Sequence, residues 1–227
     1  MKTIFKLFSA LIYITGIVFA QEPAAPSKPY GFIRLANAVA PGVGTVKLEV
    51  DGGVINPAGY KLGDVTGGIR LKPGSHTVTI SREGTKAGKT QVNIALNHTP
   101  ILIPFAERVP ASDTQPAHWA IRILRLKQLE PESGLIGSFL SVSQVPELQV
   151  DVRDPAGKWT PVYVKRLTVA QAPLLYPRGY VPIRHNNQDL EPIPVSDHGS
   201  YVVLLYDDAD GKIQSVNFRD FKFLSAD

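Results

Sequence analysis

The chain has 227 residues, with 24 Lys or Arg, 20 Asp or Glu, and no cysteine. The missing cysteines exclude disulfides, thiolate metal sites, a cysteine nucleophile and a lipid anchor on an N-terminal cysteine. The formal net charge of +4 includes Lys2 and Lys6 of the first segment. A balance this even, with no basic run longer than a pair, argues against a nucleic-acid groove.

Residues 1–20 read as a cleavable secretory leader. Lys2 and Lys6 form a charged start, an apolar run from Leu7 to Ala20 follows, and Val18 and Ala20 occupy the positions three and one before the expected cut. No other apolar stretch approaches the ~18 residues of a membrane-spanning helix. The processed chain is therefore expected to be soluble, without a membrane span, in the periplasm, at the cell surface or outside the cell. Residues 21–29 are a Pro/Ala-rich spacer, and such segments stay extended.

Period-2 alternation then begins. Val46, Leu48 and Val50 face one way while Lys47, Glu49 and Asp51 face the other; Val78 and Ile80 alternate with Thr77, Thr79 and Ser81; Val92 and Ile94 alternate with Asn93 and Ala95. Asp51-Gly52-Gly53, Gly67-Gly68, Lys72-Pro73-Gly74 and Ala87-Gly88-Lys89 punctuate these runs, which is the pattern of short strands joined by tight turns. A second Pro/Ala-rich stretch at 108–117 reads as a linker between a first β region, 30–107, and a second, 118–227.

Four blocks recur in order across the two regions. Ile33–Leu35 resembles Ile121–Ile123, Val46–Val50 resembles Leu148–Val152, Gly74–Ser81 resembles Gly199–Tyr206, and Gly88–Ile94 resembles Gly211–Phe218. Ordered self-similarity predicts an all-β chain of two tandem immunoglobulin-like β-sandwich domains, a divergent duplication. The spacing of the blocks gives the second copy loop insertions near 129–146 and 158–198. Long loops on a rigid scaffold are where binding usually sits.

The run Val50-Asp51-Gly52, then Leu71 through Lys72-Pro73-Gly74-Ser75-His76 to Ile80, then Arg82-Glu83-Gly84 and the strand from Gln91 to Leu96, resembles PEGA-type domains and related immunoglobulin-like bacterial extracytoplasmic domains. It covers about residues 45–96. That resemblance implies a small β-sandwich at the cell surface or in the periplasm with a structural or binding role, and it carries no catalytic residues.

Several constellations invite chemistry. Gly84 to Thr90 is one residue short of a phosphate-binding loop and lies between strands, so a hairpin turn is expected. Asp207, Asp208 and Asp210 beside Gly211 lack the spacing of a calcium loop and suit a turn. Ser196-Asp197-His198 are consecutive on an extended chain, where neighbours point to opposite faces, so they form no nucleophile–base line among themselves. His185, Asp189, Glu191, Asp197 and His198 are the densest set of metal-capable side chains, without helical ligand spacing. Asn97-His98-Thr99 fits a glycosylation sequon.

The larger insertion also holds Trp159, Tyr163, Tyr176, Arg178, Tyr180, Arg184 and His185 among prolines. Exposed Tyr, Trp and Arg dominate binding hot spots, and prolines limit the entropy lost on ordering. The same rings are alternatively expected to close over the sandwich as core. The expected function is a non-catalytic module that binds a cell-envelope glycan or protein, or a structural subunit, with no cofactor, no metal and no nucleic acid. The alternative is a secreted hydrolase or metal-dependent enzyme using the 185–198 segment.

Overall fold

The computed structural model describes residues 29–40, 44–96, 98–126, 135–176, 178–196 and 199–220. The leader, the spacer up to residue 28, Asn97 of the sequon, Pro177, and Asp197 and His198 lie outside the described residues.

The fold is all-β. A first sandwich is built from β1 (Gly31–Leu35), β2 (Lys47–Val50), β3 (Gly53–Val54), β4 (Ile69–Leu71), β5 (Gly74–Ser81), β6 (Gly88–Ile94), β7 (Ile101–Val109) and β8 (His118–Leu126). One sheet has the order β3-β2-β5-β6 and the other β4-β1-β7-β8. The alternation of β2, β5 and β6 turns Leu48, Val78, Ile80 and Val92 onto Ile33, Leu35 and Leu102 of the facing sheet. Each such side chain removed from water contributes about 1.5–3 kcal/mol.

The second sandwich uses β9 (Leu135–Ser141), β10 (Glu147–Arg153), β11 (Trp159–Lys165), β12 (Val169–Pro173), β13 (Gly179–Val181), β14 (Ile183–His185), β15 (Gln188–Asp189), β16 (Ile193–Val195), β17 (Gly199–Asp207) and β18 (Ile213–Asp220). Its sheets run β12-β9-β17-β18 and β11-β10-β14-β15, with β13 and β16 as a separate antiparallel pair. Phe139, Tyr201, Val203 and Leu205 pack between them against Val150, Val164, Ile183 and Ile193.

A third apolar cluster joins the two sandwiches: Ala36, Ile101, Ile103 and Phe105 meet Leu140, Val202, Leu204 and Phe218. Four sheets are thereby stacked with three cores between them. The two inner sheets are buried on both faces, which is why Ile101-Leu102-Ile103 and Val202-Val203-Leu204-Leu205 are unbroken apolar runs instead of alternating ones. Each inner sheet also holds a parallel pair, β1 with β7 and β9 with β17.

The stretch 108–117 is not a linker. Arg108 and Val109 are the end of β7, which pairs along its whole length with β8, and Ser112 and Gln115 close the turn of that hairpin. β8 therefore belongs to the first sandwich, because Ile121 packs in the first core. The proposed loop insertions are largely strand as well. Residues 135–141 form β9, and 158–198 contains β11 to β16, where Val162, Val164, Val181 and Ile193 supply core side chains. Only the β2-like block matches an equivalent strand, β10. The pairing scheme nonetheless occurs twice: β1, β2, β3, β4, β5, β6, β7 and β8 make the same neighbours in the same sense as β9, β10, β11, β12, β14, β15, β17 and β18.

Candidate functional site

The outermost sheet of the second sandwich turns alternate residues to solvent. On β10, Leu148, Val150 and Val152 are buried while Glu147, Gln149, Asp151 and Arg153 are not; on β11, Val162 and Val164 point inward while Trp159, Pro161, Tyr163 and Lys165 do not. Register places Arg153 opposite Trp159, Gln149 opposite Tyr163, and Asp151 between Pro161 and Arg184.

Trp159 thus lies beside two guanidinium groups. The Arg184 guanidinium carbon sits 4.1 Å from the ring centroid and that of Arg153 5.6 Å. Arg184 Nε donates to Asp151 Oδ2 at 3.1 Å, which fixes the guanidinium over the ring. An indole carrying a stacked arginine is held flat and is no longer a bare stacking face. Tyr163, 58% exposed, is the open aromatic ring on this face.

The remaining expected residues are arranged differently. His185, at the end of β14, engages both ring nitrogens: Nδ1 faces the Gln149 carbonyl oxygen at 2.8 Å and Nε2 faces Asn186 Nδ2 at 3.0 Å. A histidine so placed serves the hairpin. Tyr176 is half-buried against the second core, and its hydroxyl donates to the Asp154 carbonyl at 3.2 Å, so this ring is core as the alternative reading had it. Arg178 Nε donates to the Ser196 carbonyl at 3.3 Å, and Tyr180, 68% exposed, stands on β13 opposite Pro194. Trp159, Tyr163 and Arg184 therefore share one sheet face with His185 at its margin. Arg178 precedes β13 and Tyr180 lies on it, in the separate β13–β16 pair. A cleft of about 90 Å³ lined by Val152, Thr160, Val162, Ala172 and Leu175 opens nearby, too small for a drug-sized ligand.

The acidic turn is already saturated. Asp208 Oδ1 accepts the backbone N–H groups of Asp210 and Lys212, both at 2.9 Å, and its Oδ2 accepts from Gln214 Nε2 at 3.1 Å. These donors, Gln214 first, hold the Asp208 pKa below its ordinary value. Asp207 likewise accepts from Ser143 Oγ and the Gln144 N–H. Among the described residues, no group of three His, Asp or Glu side chains is placed to hold a metal ion.

Two features were not singled out as sites from the sequence. Asp151 and Arg153 complete the Trp159 cluster, and only the β10–β11–β14 register reveals them. On the first sandwich, His76 Nδ1 lies 2.6 Å from Asp51 Oδ2, its Nε2 lies 2.7 Å from the Lys72 carbonyl, and Asp51 Oδ1 accepts the Thr77 N–H at 2.8 Å. Asp51 leads the β2–β3 turn with φ of 51°, followed by Gly52 at 82°, the left-handed pair that a two-residue hairpin requires. The Asp51 hydrogen bond, then the Lys72 one, raises the His76 pKa; the Thr77 and His76 hydrogen bonds lower that of Asp51.

No protein-family model matches the chain, and no match to a curated protein is found.

Proposed function

We propose that this chain is an exported, non-catalytic β-sandwich protein that binds a cell-envelope component, glycan or protein, through the outer face of β11, β10 and β14. One observation carries the reading: Tyr163 stands exposed on the same outer sheet face as Trp159, whose ring has the Arg153 and Arg184 guanidinium groups 5.6 and 4.1 Å from its centroid. Aromatic rings and arginines fixed on a scaffold lose little entropy on binding, which is how hot spots gain their energy. The leader-like residues 1–20 support export, and the shared pairing scheme supports a tandem duplication.

The test is retention of envelope glycans and proteins on the immobilised chain lacking residues 1–20. Tyr163→Ala and Arg153→Ala together are expected to abolish retention with the circular dichroism spectrum of the fold retained. Retention that survives both changes refutes the proposal. N-terminal sequencing of protein recovered from the periplasm is expected to begin at Gln21.

A further inference from the structure

The two sheets of the first sandwich part between their edge strands β3 and β4, leaving a groove of about 490 Å³. That is within the range of ligand sites. Its apolar wall is formed by Leu71, Val54 and Ile55, and Val54 is 48% exposed. Beside this wall stand Lys72, His76 and Arg70, the last with its guanidinium 4.9 Å from the Tyr30 ring centroid.

The one carboxylate in the lining, Asp51, is consumed by the Thr77 N–H and by His76. His76 faces an acceptor at each ring nitrogen, the Asp51 carboxylate and the Lys72 carbonyl. Both contacts are hydrogen bonds when both nitrogens carry protons, the form the Asp51 carboxylate favours. Arg70 and Lys72 against the one carboxylate leave the groove positive, and a protonated His76 adds to it. It also borders two short strands that lack a further strand neighbour among the described residues. Unpaired strand edges offer main-chain hydrogen bonds, which favours a peptide over a fatty acid of the same charge.

The geometry points to the β3–β4 groove as a binding site for an extended peptide that adds along a strand edge and turns an apolar side chain and a carboxylate, two residues apart, into the groove. This site is on the other sandwich from the Trp159 face and stands or falls separately from it.

The test is an NMR titration of the isotope-labelled chain lacking residues 1–20 with the acetylated, amidated peptide Thr-Val-Thr-Asp-Thr-Leu-Thr, whose Val, Asp and Leu share one face when extended. Amide shifts are expected at residues 53–55 and 69–72. Replacing the peptide's Asp by Lys, or Arg70 by Gln in the protein, is expected to weaken binding about fivefold or more, the equivalent of about 1 kcal/mol. Val54→Asp, at an exposed position, is expected to weaken it similarly with an unchanged circular dichroism spectrum, whereas Tyr163→Ala leaves it intact. Absence of shifts, equal affinity for the Lys peptide, or equal affinity for octanoate at the same amides overturns the proposal.

Discussion

Arg34 Nη1 donates a 2.8 Å hydrogen bond to the backbone carbonyl of Arg219, tying β1 of the first sandwich to β18 of the second across the central core. Arg34 is 5% exposed, its Nε donates to the Thr66 carbonyl, and its guanidinium lies 4.9 Å from the Phe218 ring centroid. Burial lowers its pKa, and the nearby Asp220 opposes that shift. Removing one member of a buried charge pair leaves the other uncompensated, at a cost of about 3–5 kcal/mol. Arg34→Ala is therefore expected to destabilise the chain by about that amount in urea unfolding. Arg34→Met combined with Asp220→Asn is expected to recover most of it. A loss no larger than that of Ala at the exposed Arg178 would contradict this role.

The His76–Asp51 clamp makes stability depend on pH. The folded-state His76 pKa is raised above 6.5, so its contribution is complete below 6.5 and is lost as pH rises through the folded value. The folded-state Asp51 pKa is lowered below 3.8, so its contribution is present above 3.8 and is lost as pH falls through the folded value. The clamp is fully formed between these two limits. Melting temperature is expected to fall between pH 6 and pH 9, and His76→Asn is expected to flatten that segment of the profile. An equal fall in the variant would assign the pH dependence to other groups.

Much of the outer sheets is legible in sequence because one face meets water. The alternation at Val46–Val50, Thr77–Ser81 and Leu148–Val152 reports β2, β5 and β10 directly. The inner sheets hide the same information. Val202-Val203-Leu204-Leu205 is buried on both sides, so periodicity cannot tell which face meets which core. Parallel partners such as Leu35 and Leu102 lie far apart in the chain, and no local pattern announces them. Matching by local pattern consequently set β1 against β8 and β5 against β17, although β1 and β5 correspond in pairing to β9 and β14. The binding residues show the same limit. Tyr163 and Trp159 are recognisable as residue types on an alternating strand, but the stacking of Arg184 on Trp159 requires β10 to lie between their strands.

The β14–β15 hairpin turns through Asn186 and Asn187, with φ of 49° and 61°. Both central residues of this turn need the left-handed region, and Asn-Gly satisfies it better than Asn-Asn. Asn187→Gly is expected to leave stability unchanged or raise it by up to about 1 kcal/mol, whereas Asn187→Val, forced into the same conformation, costs about 1–2 kcal/mol. Chemical denaturation of the three proteins checks the order. His185 bonds to Asn186, so the substitution is placed at Asn187 to leave that contact in place.

Arg184 links fold and site, because it pairs with Asp151 while covering Trp159. Arg184→Ala removes a partly desolvated cation–π contact and is expected to cost about 1–2 kcal/mol. Arg184→Lys keeps the charge but not the planar fork, so it is expected to restore only part of that loss. The chain has two tryptophans, and Trp119 lies under Arg108 in the first sandwich. In a Trp119→Phe background, emission therefore reports Trp159 alone. Uncovering the indole in Arg184→Ala is expected to shift that emission to the red and to make it more quenchable by iodide, while Arg178→Ala changes neither. An unchanged spectrum in Arg184→Ala would show that the guanidinium does not shield the ring in solution. The outer sheet face would then present Trp159 together with Tyr163 as its binding surface.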